Sequence, residues 1–165
     1  MIRRKICLLG SFAVGKTSLA ARFLDRPFQG RYLTTIGVRV DRLLLEIHGR
    51  QMMLMIWDLA GEDRFQKVEN AYLRGSAGYL LVVDGTRRAT LDQALQLHAR
   101  ARAQLGPVPF SLLLNKSDLE PQWDLDPSAL AGPQSEGWRI ERTSALTGAG
   151  VEPALRSLAA DLLQP

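Results

Sequence analysis

The sequence that decides the fold runs Gly10-Ser11-Phe12-Ala13-Val14-Gly15-Lys16-Thr17. Glycine, four residues, glycine, lysine and then serine or threonine is the spacing of a phosphate-binding loop. An apolar, strand-like run at residues 6–9 comes before the loop, and a helical pattern at residues 16–25 follows its last glycine. Because backbone N–H groups in such a loop and at the start of a helix attract anions, the stretch predicts a strand–loop–helix unit that holds a phosphate chain.

The pattern on either side of this unit predicts an α/β fold. Apolar runs alternate with helical patterns, which favours a mainly parallel sheet with helices on both faces. The runs lie at residues 6–9, 38–47, 52–57, 79–83 and 110–114, and the helical patterns at 16–25, 90–105 and 151–163. The short connection at residues 48–50 predicts an antiparallel hairpin. A shift in the apolar alternation near Asp41 and Arg42 suggests a β-bulge.

Composition limits the class of protein. With 165 residues, 46% hydrophobic and 23% charged, the chain is predicted to be one globular domain, residues 1–165, and neither disordered nor fibrous. One cysteine, Cys7, favours a reducing, cytoplasmic location. No apolar run approaches the roughly 20 residues of a membrane span. The final residues contain no cysteine, so we expect no lipid anchor in this chain.

The charge balance indicates little about partners. The net charge is +4, and only four of the 21 basic residues are lysines. We expect no nucleic-acid partner and interpret the arginines, Arg87 and Arg88 among them, as solvent-exposed. Abundant arginine, alanine and leucine favour a bacterial source with a GC-rich genome.

Two further motifs follow predicted strands. Asp58 comes after the run at 52–57, at the strand end where α/β proteins bind ligands, and can hold Mg²⁺ together with the Thr17 hydroxyl. Asn115-Lys116-Ser117-Asp118 comes after the run at 110–114. The Asp118 carboxylate can accept two hydrogen bonds from guanine, whereas adenine offers no such pair of donors. An ATP-dependent enzyme is therefore disfavoured.

Taken together, the motifs resemble the Ras superfamily of small GTPases over essentially the whole chain, and the Rab branch most. The resemblance is in their order: the loop at 10–17, Thr34-Thr35-Ile36-Gly37, Trp57-Asp58-Leu59-Ala60-Gly61, Asn115-Lys116-Ser117-Asp118 and Thr143-Ser144-Ala145. It implies a P-loop NTPase G domain with a six-stranded sheet, one strand of which is antiparallel, and five helices.

The resemblance also implies a guanine-nucleotide switch that binds GTP or GDP with Mg²⁺. By it, the metal is held by Thr17, Thr35 and Asp58, and hydrolysis uses Lys16, Thr35, Gly61 and Glu62. The nucleotide-binding residues it implies are Ala13, Val14, Gly15, Lys16, Thr17, Ser18, Phe28, Tyr32, Thr35, Gly61, Asn115, Lys116, Asp118, Ser144, Ala145 and Leu146. Protein effectors and regulators are expected at Thr35, Val40, Trp57 and Tyr72, although Trp57 is equally well interpreted as an ordinary half-buried strand residue.

The chain departs from the family pattern at two positions that matter for hydrolysis. Glu62 stands where the family has a water-positioning glutamine, and an ionised carboxylate accepts hydrogen bonds but donates none. We expect slow hydrolysis, or a Glu62 that acts as a base once a partner orders it; alternatively, Glu62 faces solvent and another group orients the water. Phe12 stands where the family has a small residue, so its ring is expected to block or redirect an inserted arginine. A GTP-binding signalling module with little or no hydrolysis therefore remains the alternative function.

Overall fold

The computed structural model describes residues 1–25, 32–33, 38–59 and 66–164, with only the backbone described at 32–33 and 66–69. In this part of the chain, seven strands form one sheet in the order β2-β3-β4-β1-β5-β6-β7. Their bounds are β1 Ile2–Leu9, β2 Tyr32–Leu33, β3 Val38–Ile47, β4 Arg50–Leu59, β5 Gly78–Asp84, β6 Phe110–Asn115 and β7 Ile140–Arg142.

The sheet is mainly parallel, as predicted. β3 runs antiparallel to its neighbours, and the central strands β4, β1, β5, β6 and β7 are parallel to one another. The expected P-loop NTPase sheet is confirmed, with the two-residue β2 as a short addition at its edge. β7 is only three residues long and has the sequence Ile-Glu-Arg, so it has no apolar run by which a sequence pattern could reveal it.

Helices cover both faces of the sheet. Their bounds are α1 Lys16–Phe23, α2 Gln66–Leu73, α3 Ala89–Leu105, α4 Ala131–Ser135 and α5 Val151–Asp161, with short 3₁₀ turns at Ser117–Gln122 and Pro127–Leu130. Because successive strand side chains point to opposite faces, Ile6 and Leu8 pack under α1 and α5, whereas Cys7 and Leu9 pack under α2 and α3. None of the described helices is both long enough and apolar enough to cross a membrane.

The hairpin between β3 and β4 is confirmed, but the predicted bulge is wrong. The pairing runs without interruption from Val38 opposite Leu59 to Ile47 opposite Arg50. The alternation changes because Arg39 and Asp41 occupy inward-facing positions on β3, where they form a buried ion pair with Nε 2.7 Å from Oδ2. The ion pair replaces apolar side chains on that face, so the pattern shifts without an extra residue.

Candidate functional site

The predicted phosphate loop connects the end of β1 to the start of α1. Lys16 is the first residue of α1, and its side chain is almost fully buried. Its Nζ donates to the carbonyl oxygens of Gly10 and Ser11, the latter at 3.4 Å. The Lys16 side chain therefore folds back over the loop, and its ammonium group lies against the loop backbone.

Both glycines of the loop are needed for close packing. A Cβ on Gly10 would lie 2.6 Å from the carbonyl oxygen of Val82. Gly15 has a φ of +103°, and a Cβ there would lie 2.3 Å from Nδ2 of Asn115. Such distances are too short for any side chain, so the loop can approach β5 and β6 only with glycine at these positions.

Asn115 joins three of the sequence motifs. It ends β6 and is buried. Its Nδ2 donates to the carbonyl oxygen of Val14 at 2.9 Å, while its Oδ1 accepts from the Thr143 hydroxyl at 3.1 Å and the Ala145 N–H at 3.3 Å. The phosphate loop and the two predicted base-binding segments therefore meet at one amide.

The expected metal ligands Thr17 and Asp58 are in direct contact. The Thr17 hydroxyl donates to Asp58 Oδ2 at 2.6 Å, and Asp58 is 2% exposed. Asp58 Oδ1 is also buried and has no hydrogen-bond partner among the described residues. Burial raises the pKa of Asp58, while the Thr17 hydroxyl and the charges of Lys16 and Arg39 act in the opposite direction. A hydroxyl beside an unpaired carboxylate oxygen is a donor set that fits a hard divalent cation such as Mg²⁺.

The expected base-binding residues follow the carboxyl ends of β6 and β7, at the edge of the sheet where the phosphate loop follows β1. Asp118 is exposed, and one of its carboxylate oxygens accepts from the Ser144 hydroxyl at 2.7 Å. Ser144 is buried, Ala145 half-buried and Leu146 73% exposed. The Asp118 carboxylate is therefore oriented by a neighbouring loop while it stays open to solvent.

Lys116 is not a solvated surface charge. Its Nζ lies 2.8 Å from Asp84 Oδ2, and its backbone has a φ of +67°. Its carbonyl oxygen accepts from the indole N–H of Trp123 at 2.9 Å. These contacts fix both ends of the lysine, so its methylene stem is held in one place.

Asp84 is a site residue that the sequence analysis missed. It ends β5 and is 1% exposed. Burial alone would raise the pKa of Asp84, but hydrogen bonds from Lys116, Thr86 and Arg87 outweigh it and lower the pKa to about 2. An acid that follows a buried strand is the same signal that identified Asp58, so the position could have been found.

Arg87 corrects the expectation that the arginine pair faces solvent. Its Nε donates to Asp84 Oδ2 at 2.9 Å, and its Nη2 donates to the Phe12 carbonyl oxygen at 2.8 Å. Arg88 differs, because its Nη1 lies as far as 3.9 Å from Asp126 Oδ2 and both of these side chains are largely exposed. The side chain of Phe12 is 68% exposed, so it does not fill the loop.

Three of the four expected partner-binding residues lie together. Val40 is opposite Trp57 in the β3–β4 ladder, and the ring centroids of Trp57 and Tyr72 are 5.6 Å apart. Lys5 Nζ lies 3.8 Å from the centroid of the Trp57 ring. All three expected residues are half-buried, so Trp57 is both a strand residue and part of an accessible patch.

Some of the expected site residues lie outside the described part of the chain. Phe28, Thr35, Gly61 and Glu62 lie outside the described residues, and Tyr32 is placed only by its backbone in β2. In the described part, the structure brings together Lys16, Thr17 and Asp58 at the phosphate loop, and Asn115, Lys116, Asp118, Ser144 and Ala145 beside it.

Known proteins resemble the chain over nearly its full length. The model of the Ras family matches residues 5–164. Ras-related protein Rab-4 of Dictyostelium discoideum is 39% identical over 152 residues, which are 90% of this chain and 73% of that protein. Ras-related protein Rab-13 is 34% identical in Canis lupus familiaris and 36% in Mesocricetus auratus, each over 96% of this chain and 79% of the relative.

These relatives come from eukaryotes, so they do not support the bacterial source that the composition suggested. The family match and the identities agree with the order of motifs in the sequence and with the α/β sheet. The chain therefore belongs to the Ras family of small GTPases and is Rab-like within it.

Proposed function

We propose that residues 1–165 form one G domain that binds GTP or GDP with Mg²⁺, hydrolyses GTP slowly and acts as a cytoplasmic switch. The observation that best supports this proposal is the set of bonds at Asn115, which join the phosphate loop to the base-binding segments. Segments joined in this way suit a ligand with a phosphate chain at one end and a base at the other.

The phosphate chain is proposed to lie in the loop. Backbone N–H groups from Ala13 to Ser18 face the anion, and Lys16 moves its ammonium group from the loop carbonyls to the phosphate oxygens. The exchange is favourable because a phosphate oxygen carries more negative charge than a backbone carbonyl.

The base is proposed to lie against Asp118. Its carboxylate accepts from the ring N–H and the amino group of guanine, while Lys116 covers one face of the ring with its methylene stem. The Ser144–Ala145–Leu146 segment, together with Phe28 and Tyr32, would complete the contacts that the family pattern implies.

Mg²⁺, when bound, neutralises charge on the phosphate oxygens. It would be held by Thr17, Asp58 and Thr35, the ligands that the family pattern implies. Thr35 and Gly61 respond to the terminal phosphate, so that hydrolysis releases both segments and changes the surface at Val40, Trp57 and Tyr72. Effectors and regulators that recognise this surface would then distinguish the GTP form from the GDP form.

Glu62 is the reason to expect slow hydrolysis. An ionised carboxylate cannot donate a hydrogen bond, and its charge opposes the negative charge that collects around the transferred phosphate. We expect Glu62→Gln to accelerate single-turnover GTP hydrolysis about 10-fold or more, since each 1.36 kcal/mol removed from the barrier gives a factor of ten. Asp63→Asn, which removes a neighbouring charge, is the matched control and should leave the rate within about 2-fold.

A wild type that hydrolyses GTP as fast as Glu62→Gln would remove the basis for slow hydrolysis. The second candidate function, a GTP-binding module controlled by exchange, is favoured by the same glutamate. It predicts that the wild type binds GTP and shows no measurable cleavage.

Phe12 gives the proposal a further consequence for regulators. Its side chain is 68% exposed, and the family pattern has a small residue at this position, which leaves room for an arginine inserted by an activating protein. We propose that activation of this chain uses a different approach to the loop.

A further inference from the structure

Arg87 contacts the phosphate loop at the Phe12 carbonyl oxygen. It also contacts Asp84, which pairs with Lys116 in the base-binding segment at residues 115–118. We propose that Arg87 is a positioning residue that holds the Phe12–Ala13 peptide in the orientation needed to bind a phosphate, and so slows the release of guanine nucleotide. This inference rests on the nucleotide binding proposed above, and it adds a residue that the motifs do not contain.

The guanidinium group of Arg87 makes two bonds in different directions. Nε donates to Asp84 Oδ2 at 2.9 Å, and Nη2 donates to the Phe12 carbonyl oxygen at 2.8 Å. Because the guanidinium group is planar and rigid, two bonds from one fork fix the distance and direction between their acceptors. The Phe12 carbonyl is therefore tied to the end of β5.

The anchor at Asp84 is itself rigid. The Thr86 N–H and hydroxyl donate to its Oδ1 at 2.9 and 2.7 Å, and Lys116 Nζ lies 2.8 Å from its Oδ2. Asp84 is 1% exposed, so water does not compete well for these bonds. One carboxylate thus connects Arg87 at the phosphate loop with Lys116 at the base-binding loop.

The bond to the Phe12 carbonyl also sets the direction of the next N–H group. In a trans peptide the carbonyl and the following N–H point in opposite directions. With the Phe12 oxygen turned toward Arg87, the Ala13 N–H points away from Arg87. Ala13 is one of the residues expected to contact phosphate, so its N–H is available for that contact.

The backbone here needs support from outside the loop. Ala13 has a φ of +61°, a left-handed conformation that is unfavourable for a residue with a side chain. Besides Arg87, the neighbouring Ser11 hydroxyl donates to Gln93 Oε1 on α3. The outer part of the loop is therefore held by groups in α3 and just before it, while Asn115 holds Val14 on the inner part.

The test compares two adjacent arginines. Arg87 and Arg88 are 45% and 46% exposed, but Arg88 contacts neither the loop nor Asp84 in any bond of the described residues. The release of a fluorescent GDP analogue, chased with excess GDP in Mg²⁺, is measured for wild type, Arg87→Ala, Arg87→Lys and Arg88→Ala. We expect Arg87→Ala to release the analogue about 10-fold faster, the effect on the loop of losing the charge-assisted hydrogen bond to the Phe12 carbonyl. Arg88→Ala should stay within about 2-fold of wild type.

The lysine variant and a spectroscopic readout separate positioning from general loosening. Lysine keeps the charge but lacks the rigid fork, so Arg87→Lys should release the analogue at an intermediate rate. The ³¹P resonance of the β-phosphate of bound GDP should shift in Arg87→Ala and remain unchanged in Arg88→Ala. Thermal unfolding without nucleotide reports whether each variant is folded; if Arg87→Ala is not, Arg87→Lys gives the test.

Release from both Arg87 variants at the Arg88→Ala rate, with an unchanged ³¹P resonance, would overturn the inference. A wild type that binds no guanine nucleotide is a different result, which refutes the proposed function before any variant is compared.

Discussion

At the residue scale, Gly15 permits the contact on which the site depends. Its φ is +103°, and a Cβ on this residue would lie 2.3 Å from Asn115 Nδ2, which leaves no space for a side chain. The amide that would be displaced is the one that donates to Val14. A single methyl group would therefore separate the phosphate loop from the base-binding segments.

We expect Gly15→Ala to lower the free energy of unfolding by about 2 kcal/mol, because it combines backbone strain with the loss of a buried hydrogen bond. It should also abolish measurable binding of GDP. Gly132→Ala is the control, since no atom lies within 4 Å of the added Cβ and the residue is in α4. Urea unfolding and calorimetry measure the two effects; equal stability and binding in the two variants would contradict this account of Gly15.

Asp84 predicts a dependence of stability on pH. Its pKa is lowered to about 2, below the value of about 3.9 expected in the unfolded chain. A lowered pKa stabilises the fold above the unfolded pKa, and this stabilisation is lost as the pH falls through about 4 to about 2. The contribution near neutral pH is roughly 2–3 kcal/mol, because each unit of pKa difference is worth 1.36 kcal/mol.

Asp84→Asn removes this charge at every pH. The difference in the free energy of unfolding between wild type and Asp84→Asn, measured in urea, should therefore be largest at pH 6–7 and decrease below pH 4. A difference that stays constant down to pH 2 would show that the Asp84 charge does not contribute in this way.

At the scale of elements, β3 carries a buried ion pair beside the expected metal ligand Asp58. Arg39 is fully buried and Asp41 is 5% exposed, and the two side chains pair on the face that also carries Asp58 opposite Arg39 in β4. Farther along, the same face of β3 is apolar at Leu43 and Leu45. The strand therefore changes from a charged end near the loop to an apolar end in the core.

We expect Arg39→Met to lower the free energy of unfolding by about 3 kcal/mol, because the buried Asp41 carboxylate loses its guanidinium partner. The double variant Arg39→Met/Asp41→Leu should recover most of that loss, since it removes the charge as well. Arg42→Met, at an exposed position of β3, is the control. Chemical unfolding measures the free energy of unfolding of all three variants. A double variant less stable than Arg39→Met would show that apolar packing does not replace the ion pair.

At the scale of the whole molecule, local patterns predicted most of the fold. Five of the strands and three of the helices follow from apolar runs and helical spacing, because a sheet buried on both faces requires continuous apolar strands. β2 and β7 are too short to show a pattern, and the supposed bulge at Asp41 came from a charge pair that is visible only in three dimensions. The family resemblance implied six strands, and the two-residue β2 brings the total in the described residues to seven.

The site was predictable to the extent that its residues belong to motifs. The spacing of the loop predicts Lys16 and Thr17, and positions directly after apolar runs predict Asp58 and Asn115; the structure brings the four together. Arg87 has no motif, and its place between Phe12 and Asp84 depends on how the end of β5 meets the loop. A sequence pattern records neighbours along the chain, so it does not reveal a side chain that bridges two distant segments.

The most direct test of the central claim, binding of guanine nucleotides, is calorimetry with GDP, GTP, ADP and ATP in the presence of Mg²⁺. We expect GDP and GTP to bind at least about 1,000-fold more tightly than ADP and ATP, because adenine does not offer the Asp118 carboxylate the pair of donors that guanine offers. Asp118→Ala should lose this preference, while the exposed neighbour Asp124→Ala should keep it. Binding of ADP as tight as that of GDP, or no binding of either guanine nucleotide, would contradict the account.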